Sequence, residues 1–164
     1  MSLAAEKCVS LAEAARRVAA WRVAGERVAL ASGVFDLLHV GHTRYLARAR
    51  ALADHLVVGV SDDRAAAALE GPGQPVLSAS DRSRLVAALR SVDLVVVFEG
   101  PTADPLLAAL GPDVHAPSAG HGPDGIPERA AVSFAGGSAA TEGDPEARSS
   151  RELLARVRDR YSSH

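Results

Sequence analysis

The stretch that decides the fold is Gly33-Val34-Phe35-Asp36-Leu37-Leu38-His39-Val40-Gly41-His42. It follows the apolar run Val28-Ala29-Leu30-Ala31 and leads into a helix-patterned segment that begins near Thr43. This order predicts a buried strand ending in a glycine turn, a short loop carrying two histidines, and a helix N-terminus facing that loop. Unpaired backbone N–H groups and the positive end of the helix dipole suit such a loop to phosphate. Gly33 lets the backbone turn and approach a ligand closely, and Gly41 keeps the helix start free of a side chain. His39 and His42 can each donate a hydrogen bond to a phosphate oxygen. Such donors count most where negative charge builds up in a phosphoryl-transfer transition state. No Walker loop or dinucleotide glycine fingerprint is present, which argues against ordinary kinases and dehydrogenases.

Upstream, Ser10-Leu11-Ala12-Glu13 reads as a capping box, with Leu11, Ala14, Ala15, Val18 and Trp21 at helical spacing and Ala24-Gly25 as the stop. Downstream, Tyr45, Leu46, Ala49 and Leu52 mark the inner face of a helix whose other face carries Arg44, Arg48 and Arg50. Leu56 to Val60 is a continuous apolar run, as expected of a strand covered on both faces. Ser61-Asp62-Asp63 caps a short alanine-rich helix through Leu69, and Gly71-Pro72-Gly73-Gln74-Pro75 is a loop. Ser80-Asp81 starts a helix with Leu85, Val86 and Leu89 inward, feeding a third strand over Leu94–Phe98. A short helix, started by Thr102 or Asp104 and closed by Gly111-Pro112, leads to a brief fourth strand over Asp113–Ala116. Pro117 to Gly125 reads as loop. Pro127-Glu128-Arg129 opens another helix, Ser138 to Thr141 a last strand, and Ser149-Ser150-Arg151-Glu152 caps a final helix with Leu153, Leu154 and Val157 inward.

Strands alternating with helices predict right-handed βαβ units and a parallel sheet between helical layers. The expectation is a single α/β domain over residues 1–164, comprising a helical extension over 1–27 and a core with its C-terminal helix over 28–164. At 164 residues the chain can bury a core without disulfides or metals. With 4% aromatic residues, that core must be built from Val, Leu and Ala. A formal charge of −2 and no basic block argue against nucleic acid as a partner. The lone cysteine, Cys8, excludes an internal disulfide and fits a reducing compartment. With no signal-peptide pattern and no apolar run of membrane-spanning length, a cytoplasmic protein is expected.

The segment 33–42 resembles the HxGH signature of the cytidylyltransferase-like nucleotidyltransferases, a superfamily with a Rossmann-like fold. The longer form GVFDLLHVGH, the Arg-rich helix and the Val57-Val58-Gly59-Val60-Ser61-Asp62-Asp63 strand end are closest to one branch. That branch is the adenylyltransferase half of the bifunctional heptose-phosphate enzymes, which make ADP-heptose; glycerol-3-phosphate cytidylyltransferases share the motifs. The resemblance runs from about Ser10 to about Val157 and includes no sugar-kinase half. It implies transfer of a nucleotidyl group from an NTP to a sugar or polyol phosphate, releasing pyrophosphate, with Mg²⁺ accompanying the NTP. By that resemblance His39 and His42 are the catalytic pair. Gly33, Val34, Phe35, Asp36, Gly41, Ser149 and Ser150 would bind nucleotide, and Arg82, Asp62 and His121 are candidates for phosphates or acceptor. Homodimers are expected on the same ground. ATP with D-glycero-D-manno-heptose 1-phosphate is the preferred pair, CTP with a glycerol or polyol phosphate the alternative. The chain departs from the branch at Glu70, Gln74 and Pro117, where basic residues are usual, so a nucleotide-binding protein without turnover is the rival from another class.

Plainer roles compete at several positions. Asp36 either orients a histidine or caps the loop. Ser149 and Ser150 are good helix caps on any helix, the arginines after His42 suit a solvated face, and His115 and His121 suit the surface or an acceptor pocket. A zinc site on His39 and His42 lacks a second ligand pair, so no metal held by the protein itself is expected.

Overall fold

The computed structural model describes residues 3–117, 138–139 and 150–161. The elements run α1 (Leu3–Lys7), α2 (Leu11–Val23), β1 (Val28–Gly33), α3 (Val40–Ala51), β2 (His55–Ser61), α4 (Asp63–Glu70), α5 (Ala79–Ala87), β3 (Leu94–Phe98), α6 (Asp104–Leu110), β4 (Val114–Pro117), β5 (Ser138–Ala139) and α7 (Ser150–Tyr161). All strand pairs are parallel, in the order β3-β2-β1-β4-β5. This is the α/β Rossmann-like sheet expected from the alternation of elements. The strand order reverses between β1 and β4, where such sheets open a crevice beyond their carboxyl ends.

Side chains alternate across each strand and divide the core into two layers. Ala29, Ala31, Leu56, Val58 and Val95 pack with Leu46 and Ala49 of α3 and Val86 of α5. Val28, Leu30, Val57, Leu94 and Val96 pack with Ala14 and Val18 of α2 and with Leu106, Leu107 and Leu110 of α6. Valine, leucine and alanine dominate both layers. The extension over 1–27 is thus part of the core, since α2 covers one sheet face. Gly59 sits where α6 comes closest: a Cβ there would stand 2.4 Å from Leu106 Cδ1.

The N-terminal ends of the strands are tied by one repeated device. Asp54, just before β2, gives its N–H to Arg27 O at 3.0 Å, and its carboxylate accepts Arg27 N–H at 2.8 Å. Asp93, before β3, makes the same exchange with Leu56 at 3.0 and 2.7 Å. Asp113, before β4, does so with Val28 at 2.8 and 2.8 Å. Each aspartate therefore satisfies a donor at the start of the neighbouring strand and fixes where the strands pair.

On its outer side β3 takes up a strip of the N-terminal segment, as Cys8 bridges Val95 and Val9 N–H donates to Val95 O at 3.0 Å.

Several sequence expectations shift. Helix α1 lacks the periodicity that would announce it. Helix α3 starts at Val40 rather than near Thr43, and α5 starts at Ala79, capped by Ser78 rather than Ser80. Neither Thr102 nor Asp104 caps α6; the Thr102 hydroxyl donates to the Asp104 carboxylate instead, at 2.8 Å. Leu52, Leu85 and Val157, expected inward, are exposed; Leu52 caps the end of its helix and Leu85 lies on the outer side of α5. Strand β4 runs on through Pro117, the residue expected to open a loop. The helix expected at Pro127, the rest of that loop over 118–125, and 140–141 of the expected last strand lie outside the described residues.

Candidate active site at the switch point

The loop from β1 to α3 leaves the sheet beside β4, at the crevice. Its backbone is unusual, for Phe35 and Leu37 have φ of 55° and 47°. Left-handed conformations in residues with a Cβ cost about 1 kcal/mol or more each, so the surroundings must hold them. Phe35 is buried against the core. The Asp36 carboxylate accepts three backbone N–H groups: Leu37 at 3.1 Å, Leu77 at 3.0 Å and Val76 at 2.6 Å. Of its two expected roles, the loop-holding one is what the geometry shows, and it ties the histidine loop to the segment after Pro75.

Arg82 requires a correction. It was a candidate for phosphate or acceptor, yet it is fully buried. Its guanidinium donates to Val34 O at 2.6 Å, Leu77 O at 3.0 Å and Asp63 Oδ1 at 2.8 Å. It clamps the loop from below rather than facing a ligand. Asp62, the other such candidate among the described residues, is the N-cap of α4, accepting Ala65 N–H at 2.8 Å. Its carboxylate is thus accounted for by the helix.

His39 and His42 are brought together. His39 is the N-cap of α3, and its Nδ1 accepts Gly41 N–H at 3.1 Å. His42 Nδ1 accepts His39 N–H at 3.4 Å, which closes a capping box made of two imidazoles. The rings stack with centroids 3.9 Å apart, and Phe35 lies across His42 at 5.5 Å. A nitrogen that accepts carries no proton, so each neutral ring is the Nε2–H tautomer. Neither Nε2 has a partner among the described residues. Burial lowers the pKa of both rings. For His42, burial, then His39, outweigh the opposing pull of Asp36 and take it down to about 4. At neutral pH the pair is therefore uncharged, with two N–H donors at the positive end of a 12-residue helix.

The other site residues divide by position. Gly33 is the last residue of β1, Val34 lies in the loop and Gly41 in the first turn of α3, and the hydroxyl of Tyr45 on α3 donates to Ala116 O of β4 across the switch point. Ser150 is the first residue of α7; Ser149 and His121 lie outside the described residues. His115, expected at the surface or in an acceptor pocket, requires a second correction, for it lies within β4. It is fully buried, with Nε2 3.2 Å from Ser32 Oγ, and burial pushes it down to about 4 against the opposing charge of Asp104. Its partner Ser32 lies 83 residues away in the chain, a pairing that no local signal reveals.

The cytidylyltransferase-like family model matches residues 30–124, more than half of the chain. The chain is 43% identical to the bifunctional protein HldE of Methylobacillus flagellatus, over 83% of this chain and 28% of that protein. It is 39% identical to the HldE protein of Gluconacetobacter diazotrophicus, over 92% of this chain and 31% of that one. The chain therefore spans less than a third of the length of these relatives. Among solved structures, it resembles the lipopolysaccharide core biosynthesis protein of Thermoplasma volcanium, with a TM-score of 0.51 and 30% identity over 56% of this chain and 74% of that one. No described helix is long and apolar enough to cross a membrane. By the span and position of that family match, which takes in the whole histidine loop, the chain belongs to the cytidylyltransferase-like family of nucleotidyltransferases.

Proposed function

We propose that this protein transfers the AMP unit of ATP to a sugar phosphate, with D-glycero-D-manno-heptose 1-phosphate as acceptor and ADP-heptose and pyrophosphate as products. The observation that carries the reading is the imidazole pair at the start of α3, each ring held in the Nε2–H form by a backbone donor. An acceptor phosphate oxygen attacks the α-phosphorus in line, the bond to the bridging oxygen breaks, and pyrophosphate leaves with the electron pair. Negative charge then grows on the α-phosphate and the departing group. Neutral N–H donors and a helix N-terminus stabilise it without a proton having to move.

Mg²⁺ travelling with the triphosphate would neutralise part of its charge. Among the described residues, no group of three or more His, Cys, Asp or Glu comes together. Asp36, the carboxylate in the loop, is occupied by backbone N–H groups.

The similarity to the bifunctional HldE proteins and to a lipopolysaccharide core biosynthesis protein supports a sugar-phosphate acceptor. CTP with a glycerol or polyol phosphate is the alternative, favoured by the family description itself. Pyrophosphate release, measured for four NTPs against a panel of sugar and polyol phosphates with Mg²⁺, tests the proposal. ATP with the heptose 1-phosphate should give the fastest release. Turnover only with CTP and a polyol phosphate would move the substrate to the alternative. Nucleotide binding with no release from any pair would leave a binding protein without turnover, the outcome that Glu70, Gln74 and Pro117 keep open.

A further inference from the structure

Six polar or charged residues are buried among the described ones: Ser32, Asp36, Ser61, Arg82, Ser83 and His115. Five converge on the exit of β1. Asp36 and Arg82 hold the loop as described. Ser61 Oγ donates to Gly33 O at 3.4 Å, and Ser32, the residue before Gly33, meets His115. Ser83 alone stands apart, donating to Ser80 O within its own helix.

Of the five, His115 is the least well satisfied. It is 0% exposed, and its Nδ1 has no partner among the described residues. Alternation along β4 sends it to the layer of Leu30, Leu106 and Leu110, where nearly every other buried side chain is apolar. A buried ring nitrogen without a partner costs stability, and an aliphatic residue of similar size would remove that cost. Fold stability therefore gives no reason for a histidine here, and the reason must lie in what its other nitrogen holds. That nitrogen holds Ser32, at the point where the strand turns into the histidine loop.

We infer that His115 is a positioning residue: through Ser32 Oγ it fixes the end of β1, and so the height and tilt at which His39 and His42 meet the nucleotide phosphates. The inference rests on the proposed nucleotidyl transfer for its kinetic consequence but not for its structural one.

The test uses His115→Leu, His115→Gln and Ser32→Ala in the full chain, with two readouts. The first is NMR of the His39 and His42 ring protons and nitrogens in the nucleotide-free protein. The second is pyrophosphate release. We expect His115→Leu to melt at the same temperature as the parent or higher. It should nevertheless shift both ring signals and lower kcat about tenfold, with KM for the nucleotide little changed. Ser32→Ala should do the same, and combining the two should add nothing further. His115→Gln, which keeps a polar group near the position of Nε2, should recover most of the rate. If the ring signals of both His115→Leu and Ser32→Ala coincide with those of the parent, the inference fails, whatever the kinetics show. If the parent protein itself releases no pyrophosphate, the functional proposal fails and the ring signals still decide this one. Should His115→Leu not fold, the smaller change at Ser32 carries the same test.

Discussion

At the N-terminal end of the sheet, Asp54, Asp93 and Asp113 each accept one backbone N–H from a neighbouring strand; at the opposite end Asp36 accepts three from loops. The same side chain thus does two jobs. Below, it completes a regular pattern in which every backbone group already lies near its preferred geometry. Above, it holds a loop whose Phe35 and Leu37 sit in left-handed backbone that these residues resist. The lower end leaves its carboxylates paired, while the upper end leaves two imidazole Nε2 donors with nothing described to receive them. Strained backbone and unpartnered imidazole N–H donors thus occur together at the upper end, where a ligand can supply the missing partners.

The sharpest way to break this comparison is at the histidines. Alanine at His42, or asparagine at His39, should lower pyrophosphate release about 10²–10³-fold, the usual cost of losing one donor to developing charge. Asparagine is a good helix N-cap, so His39→Asn keeps the start of α3 while removing the Nε2 donor. Circular dichroism should therefore be unchanged as the rate falls. A rate within threefold of the parent would remove that ring from the chemistry.

Next in size is the contrast between the aspartates. Asp36→Ala leaves three N–H groups without their charged acceptor and should cost about 3 kcal/mol in urea unfolding, with the rate falling as well. Asp113→Ala removes one acceptor and should cost about 1–2 kcal/mol, with kcat unchanged. Equal losses of stability, or a rate defect in Asp113→Ala, would dissolve the distinction between the two ends.

The remaining contrast is that of pH. Folding holds the pKa of His39, His42 and His115 below the ordinary value of 6.5, the last two to about 4, chiefly through burial. The unfolded chain therefore binds more protons below pH 6.5. Stability is fully present above that pH and falls as pH drops from 6.5 toward 4. The urea midpoint should be lower at pH 5 than at pH 7.5, and the difference should shrink in His42→Ala. A midpoint indifferent to pH over that range would contradict the burial of these rings.

Much of the fold was legible because its signals are local. The strand before the loop and the helix after it follow from periodicity, although Gly33 ends the strand and the turn falls on Phe35 and Leu37. Ser10 caps α2 as expected, accepting Glu13 N–H at 3.2 Å, while the Glu13 carboxylate binds Arg16 and Arg17 instead of completing the capping box. What stayed hidden depends on distant partners. The start of α3 was placed three residues late because histidine is not a usual N-cap, yet here the His39 Nδ1 accepts Gly41 N–H and His42 Nδ1 accepts His39 N–H in return. Arg82 read as a cation near phosphates because sequence cannot show burial; its acceptors, Val34, Leu77 and Asp63, come from three different segments. The aspartate device was visible in principle, since Asp54, Asp93 and Asp113 all stand immediately before an apolar strand. A search for that repeated placement would have found it without coordinates.

The strip at Cys8 and Val9 has a consequence for solubility. Strand β3 is the outer strand of the sheet on that side, and its Val97 side chain is 44% exposed. A bare, apolar edge of this kind offers unpaired backbone groups to any passing strand, the usual route to edge-to-edge aggregation. One bridge from Cys8 and one hydrogen bond from Val9 to Val95 occupy part of that row. The same short segment also brings in α1, whose Lys7 donates to Leu89 O at 3.1 Å and anchors the strip against the end of α5. The stretch from Lys7 to Val9 thus works as a selvedge, a finished border along part of the outer edge of a parallel sheet.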